Sequence, residues 1–170
     1  MKLLTTITTR LRARSTQTGS SLIELLIAIM VVGVVVTGVA YALTQSVKNT
    51  AESMYRELAT AMAQDSIDLF RREREAQGWR AFTSLFTTSQ QTFCFNSFPT
   101  TIDAAVLTNR SGQCGPGNTF QASRTTFQRE IEVYTDAPSE TLTINVIMTW
   151  NVGSDDERSI TITQILKERS

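Results

Sequence analysis

Few residues in this chain have a type and spacing suited to chemistry. Gly19 and Glu24 stand five positions apart in the run G-S-S-L-I-E-L-L, and Glu24 is the only charged residue between Leu22 and Leu43. At mid-bilayer a lone carboxylate costs roughly 2.5–3.5 kcal/mol, and less near the headgroups. Such a group either reaches back to the interface or pairs with a cation. Cys94 and Cys114 form the second candidate set, with 19 residues between them. That spacing is not the C-x-x-C of a redox pair. In an oxidising compartment the two would close a loop worth roughly 3 kcal/mol. The third set, Asp155, Asp156 and Glu157, offers three adjacent carboxylates. It lacks the spaced ligands of a calcium loop and reads as a solvated turn. The chain has no histidine, and no phosphate-cradling loop or nucleophile motif was found. No catalytic residue, no metal ligand and no cofactor is therefore expected, and the protein is read as not an enzyme.

The elements that must position these residues begin with the apolar run. Leu22 to Leu43 is 22 residues long, and Thr37 is its only other strongly polar side chain beside Glu24. As a helix it spans roughly 33 Å, enough for the hydrocarbon core of a bilayer. Lys2, Arg10, Arg12 and Arg14 precede it without an acid. The positive-inside rule then holds the N-terminus in the cytoplasm and sends the C-terminal part across. A cleaved secretory signal fits less well, because the run is longer than a 7–15-residue apolar core and no A-x-A site clearly follows. Four of the 16 bases lie before Gly19; the remaining 12 face 16 acids. That mild acidity gives no electrostatic footprint for nucleic acid.

Gly19-Ser20-Ser21-Leu22-Ile23-Glu24-Leu25, with the basic leader before it and the apolar run after it, resembles the processing motif of type IV prepilins. The resemblance implies cleavage after Gly19 by a membrane prepilin peptidase and N-methylation of the new terminus at Ser20. It implies that Glu24, one helical turn beyond that amine, serves assembly by pairing with it or with a neighbour's. Placed in the first turn, Glu24 would also favour the helix dipole. Ser20 departs from the Phe or Met usual at this position, which leans towards a minor component of a filament.

Gly33 and Gly38 interrupt the run; they read as close helix packing or as a segment able to loosen on assembly. From Gln45 the pattern turns amphipathic. Val47, Ala51, Met54, Leu58, Met62 and Leu69 mark a core stripe, and Glu52–Arg56 and Asp68–Arg72 are acid-before-base pairs at i,i+4. No proline or glycine falls between Val39 and Gln77, and Gly78 is a stop signal. One helix from about Ser20 to about Gln77 is predicted. Arg71 to Glu75 reads as its solvated end, and Trp79 to Phe86 as a short second helix.

The last 45 residues have period two. Leu142, Ile144, Val146, Met148 and Trp150 share one face; Ile131 and Val133 precede them, and Ile160 and Ile162 follow. Loops are expected at residues 136–139 and 151–158. The fold class expected is α+β, a pilin fold: a long N-terminal helix packed on a C-terminal antiparallel sheet of three to four strands. Its divisions are a cleaved leader at residues 1–19, a transmembrane half-helix at 20–43 and an extracytoplasmic domain at 44–170. The function expected is a minor structural subunit of a type IV pilus, or a pseudopilin of a type II secretion or competence system. Its partners would be the prepilin peptidase, other pilins met through the helix, an inner-membrane assembly platform and membrane lipid. A membrane-anchored binding domain that never polymerises is the alternative.

Overall fold

The long helix forms because nothing in its sequence stops it. A computed structural model describes residues 20–86, 89–136, 140–152 and 156–168, and its first element is α1, Ser20–Gln77. The β-branched and hydroxyl residues inside it are accommodated locally. Thr37 and Thr44 donate to the carbonyls of Gly33 and Ala40, at 2.7 and 2.9 Å, so their hydroxyls stay satisfied without water. The stop is Gly78, whose φ of +80° is open to glycine but strained for other L-residues. Its N–H still closes a bond to Arg74 O at 3.0 Å. The compact units divide at Val47/Lys48.

In the first unit, α1 is exposed throughout its described length. The window that qualifies it to cross a membrane has a mean hydropathy of 2.7 and no buried residue. The second unit holds the rest of α1 and seven further elements. These are α2 (Trp79–Thr83), β1 (Gln90–Cys94), α3 (Ala104–Asn109), β2 (Phe120–Ala122), β3 (Thr125–Asp136), β4 (Thr141–Val152) and β5 (Asp156–Lys167). α3 starts where the Asp103 carboxylate accepts from the Val106 N–H at 2.8 Å, a side-chain N-cap. β3, β4 and β5 form the expected antiparallel meander. Phe127 lies opposite Trp150, and Val146 opposite both Ile131 and Ile162.

The sheet has five strands rather than three or four. β1 and β2 lie one after the other along the edge of β3 that β4 leaves free, pairing residues 130–134 and 125–127. Both come from the stretch between Ser89 and Ser123, where the sequence shows no clear period.

The core lies on one face of this sheet. Every even-numbered residue of β4 from Leu142 to Trp150 is buried, as are Phe127, Ile131 and Val133 of β3. The α1 residues that join them are Ala59, Ala63, Ser66, Ile67, Leu69 and Phe70. This corrects the predicted stripe. Val47 and Met54 are exposed, at 69% and 53%, while Leu58 and Met62 pack only at the margin. The buried stripe begins with the small residues Ala59 and Ala63, which add little hydrophobicity, and continues through Ile67, Leu69 and Phe70. Aromatic side chains from elsewhere fill the volume. Phe70 meets Phe82 and Phe86 at 6.4 Å, and Phe86 meets Phe93, which meets Phe95, each at 6.3 Å.

The polar side of α1 also differs from the expected pairing. Glu52 pairs with Arg158 at 3.6 Å rather than with Arg56. Asp68 pairs with Arg71 at 3.2 Å, and Arg72 donates instead to Thr100 O. Arg71 also reaches Gln164 on β5. The Arg71–Glu75 segment is not wholly solvated. Glu73 is buried and accepts from Gln77 Nε2 at 2.8 Å, and the same nitrogen donates to Ile102 O.

Candidate functional site

The candidate site is the start of α1. Ser20 opens the helix and Glu24 follows four residues later, beyond the first turn rather than within it. Any dipole contribution to Glu24 is weaker than expected, because that effect fades within one turn. The carboxylate-bearing residue is exposed on a helix otherwise lined with Leu, Ile and Val. One turn separates it from the Ser20 backbone nitrogen, the spacing that an amine–carboxylate pair within one subunit requires. Gly19 and the basic leader lie outside the described residues, as does the Asp155 end of the acidic turn.

Further along α1 a shallow groove is lined by Met30, Gly33, Val34, Thr37, Gly38 and Tyr41. A methyl group added at Gly33 or Gly38 would meet nothing within 4 Å. Neither glycine is therefore needed for packing inside this subunit.

The domain's own chemistry is structural. Cys94 and Cys114 form the disulfide, with Cα atoms 4.9 Å apart. The loop it closes is fixed at several further points. The Cys114 N–H donates to Glu130 Oε2 at 3.0 Å, and Gln128 Nε2 to Gly115 O at 3.2 Å. Arg110 donates to the Ser97 carbonyl and hydroxyl and lies 5.1 Å from the Phe95 ring centroid. Among the described residues no group of three His, Cys, Asp or Glu side chains is arranged to hold a metal ion.

Two titratable groups outside the apolar helix have displaced equilibria. Burial lowers Arg129 to about 10; Asp65 opposes the shift and Arg110 adds to it. Tyr134 is raised, chiefly by donating to Glu132 Oε2 at 2.8 Å. Sequence reasoning missed Arg129 because strand alternation carries no sign that a buried position will hold a cation. Its place in the Phe127-x-Arg129-x-Ile131-x-Val133 series was the only available signal.

A membrane-capable helix with one carboxylate near its start, continuing into a disulfide-stapled α+β domain, defines the class of chain to which this one belongs by structure. The comparison with known families narrows that class. Residues 14–40 match the family described as the Prokaryotic N-terminal methylation motif, which is typical of type IV pilin-like prepilins. Neither the curated proteins nor the solved structures gave a match. The matched segment spans Gly19, Ser20 and Glu24 and ends inside the apolar half of α1. It supports a type IV pilin-like or pseudopilin role, and it points to a structural protein rather than a catalyst. Such a motif implies processing by a prepilin peptidase and assembly with other pilins.

Proposed function

We propose that the chain is a minor structural subunit of a type IV pilus or closely related filament. The peptidase cuts after Gly19, Ser20 becomes the methylated N-terminus, and Glu24 pairs with that amine or with a neighbour's during assembly. In this reading residues 1–19 are the leader and 20–43 the span. Residues 44–170 form the domain displayed beyond the inner membrane, the N-terminus having started in the cytoplasm next to the assembly platform.

One observation supports this reading above the rest. The apolar half of α1 has no internal partner, since none of its described residues is buried. In lipid that surface is satisfied. Once withdrawn from lipid it must be covered by other apolar helices, and a filament with a helical core supplies them. The serine at position 20 favours a minor pilin, and a secretion or competence pseudopilin is the second reading.

The test is incorporation. Glu24→Ala is expected to leave cleavage largely intact and to reduce the subunit's share in sheared filaments several-fold. Equal incorporation of the variant would refute the pairing role. In the same sheared fraction, a copy number far below that of the most abundant pilin supports a minor pilin, whereas absence from surface filaments favours a pseudopilin.

A further inference from the structure

Among the described residues Arg129 is the one buried cation, and although the Asp65 carboxylate on α1 attracts it through space, no carboxylate makes an ion pair with it. The residue is 6% exposed, yet its Nε and Nη1 are buried without a hydrogen-bond partner. None of the ion pairs among the described residues includes it. A buried donor left unpaired is costly, and more so when charged. A native protein that keeps such a group needs an explanation for it, such as an ion.

The surroundings of Arg129 are ordered as a slot. Its Cζ lies 4.8 Å from the ring centroid of Phe98 and 5.1 Å from that of Phe120. Two aromatic faces hold a planar cation well but leave the N–H edges without acceptors. The backbone is fixed from both sides: the Arg129 carbonyl accepts from the Phe95 N–H at 2.9 Å, and Cys114 Sγ lies 3.2 Å from it. A further orphaned donor stands on the same sheet face. Trp150 Nε1 is buried without a partner. Trp150 faces Phe127 across the β3–β4 ladder while Arg129 faces Met148, so Arg129 and Trp150 are diagonal neighbours. Guanidinium and indole N–H groups only donate. What the cluster lacks is an acceptor within hydrogen-bond reach, Asp65 acting on Arg129 only through space.

We propose that the Arg129 slot binds a carboxylate. A single guanidinium offers a planar fork and one positive charge, which a carboxylate matches in shape and charge. A phosphate dianion would bring a second negative charge, and the nearest other cation, Arg110, is already engaged with Ser97. Of the two rings that flank Arg129, Phe98 is the more exposed. This ring is 43% exposed, one of the few large apolar side chains on the domain surface, whereas Phe120 is half-buried and stacked on Phe127 at 6.1 Å. The carboxylate comes either from a small free acid or from an Asp, Glu or C-terminus of a neighbouring subunit. The second source rests on the filament reading; the site itself does not.

The test uses the full chain in detergent micelles, with the arginine side-chain Nε–H resonances followed while acetate is added at constant ionic strength. We expect one resonance to shift saturably and to be missing from Arg129→Met. Phe98→Ala, at an exposed position, is expected to keep the resonance and weaken acetate binding at least several-fold. Chloride or inorganic phosphate giving the same curve as acetate, or a strictly linear acetate response, overturns the proposal. Incorporation of Arg129→Met into filaments separates the two sources. Given saturable acetate binding, reduced incorporation assigns the slot to a neighbour's carboxylate, and unchanged incorporation assigns it to a free acid. Failure of the filament reading would leave the acetate result standing.

Discussion

The two ends of α1 are one helix written for two solvents. Up to Val47 its apolar side chains are exposed all round, and they are apolar on every face. From Lys48 to Gln77 a single stripe is buried, and it mixes small residues, Ala59, Ala63 and Ser66, with the larger Ile67, Leu69 and Phe70. Leu, Ile and Val dominate where the helix is exposed, whereas the buried stripe opens on two alanines, Ala59 and Ala63. Hydrophobic content alone therefore marks the exposed apolar half of such a helix and misplaces most of the core stripe of the other half. Burial in a packed domain depends on shape, whereas partition into lipid depends on area.

This contrast can be broken by mutation. The largest stability effect is expected at Phe70, which is fully buried among Phe82 and Phe86. Phe70→Ala should destabilise the domain by about 3–5 kcal/mol in urea unfolding of the full chain in micelles. Val35→Ala, in the exposed half, should change the same transition by under about 0.5 kcal/mol. Equal effects at the two positions would contradict the division of the helix. Next comes the staple. Replacing Cys94 and Cys114 together by serine should cost roughly 3 kcal/mol of domain stability. A loss well below 1 kcal/mol would mean that the Glu130, Gln128 and Arg110 contacts hold the loop unaided.

The smallest effect concerns pH. Burial lowers the Arg129 equilibrium from its ordinary value to about 10, against the pull of Asp65 on α1 and with the push of Arg110. The folded protein therefore disfavours the charged form relative to the unfolded chain. That penalty is present in full below about pH 10 and is relieved as pH rises through the folded value towards the unfolded one. Arg129→Met should accordingly melt above the parent protein by an amount on the order of 1–3 kcal/mol at neutral pH. The gap should narrow above about pH 10. Thermal melts of the pair between pH 8 and 11 check the sign, and a gap that widens would contradict it.

Much of this architecture was legible in the sequence because it rests on long, simple periods. The span, the helix from Ser20 to Gln77, the glycine stop at Gly78 and the β3–β5 meander all follow from runs of ten residues or more. β1, α3 and β2 have five, six and three residues, too few to establish a period. Their positions are set by the disulfide and by the free edge of β3. The i,i+4 ion pairs failed for a related reason: Glu52, Asp68 and Arg71 could reach tertiary partners or a nearer turn, and no local rule ranks those choices. The motif around Gly19 and Glu24 was readable because it is a linear pattern, and residues 14–40 match the N-terminal methylation motif. The Arg129 slot was not, since it exists only where a β3 residue meets aromatics brought in from residues 98 and 120.

The central claim is that this chain is a processed filament subunit, and the mass of the mature protein tests it most directly. Intact-mass and N-terminal analysis of the membrane-extracted protein should give a chain beginning at Ser20 with one added methyl group, and Gly19→Val should retain the leader. An unprocessed N-terminus, or a mature start at any other residue, would contradict the account.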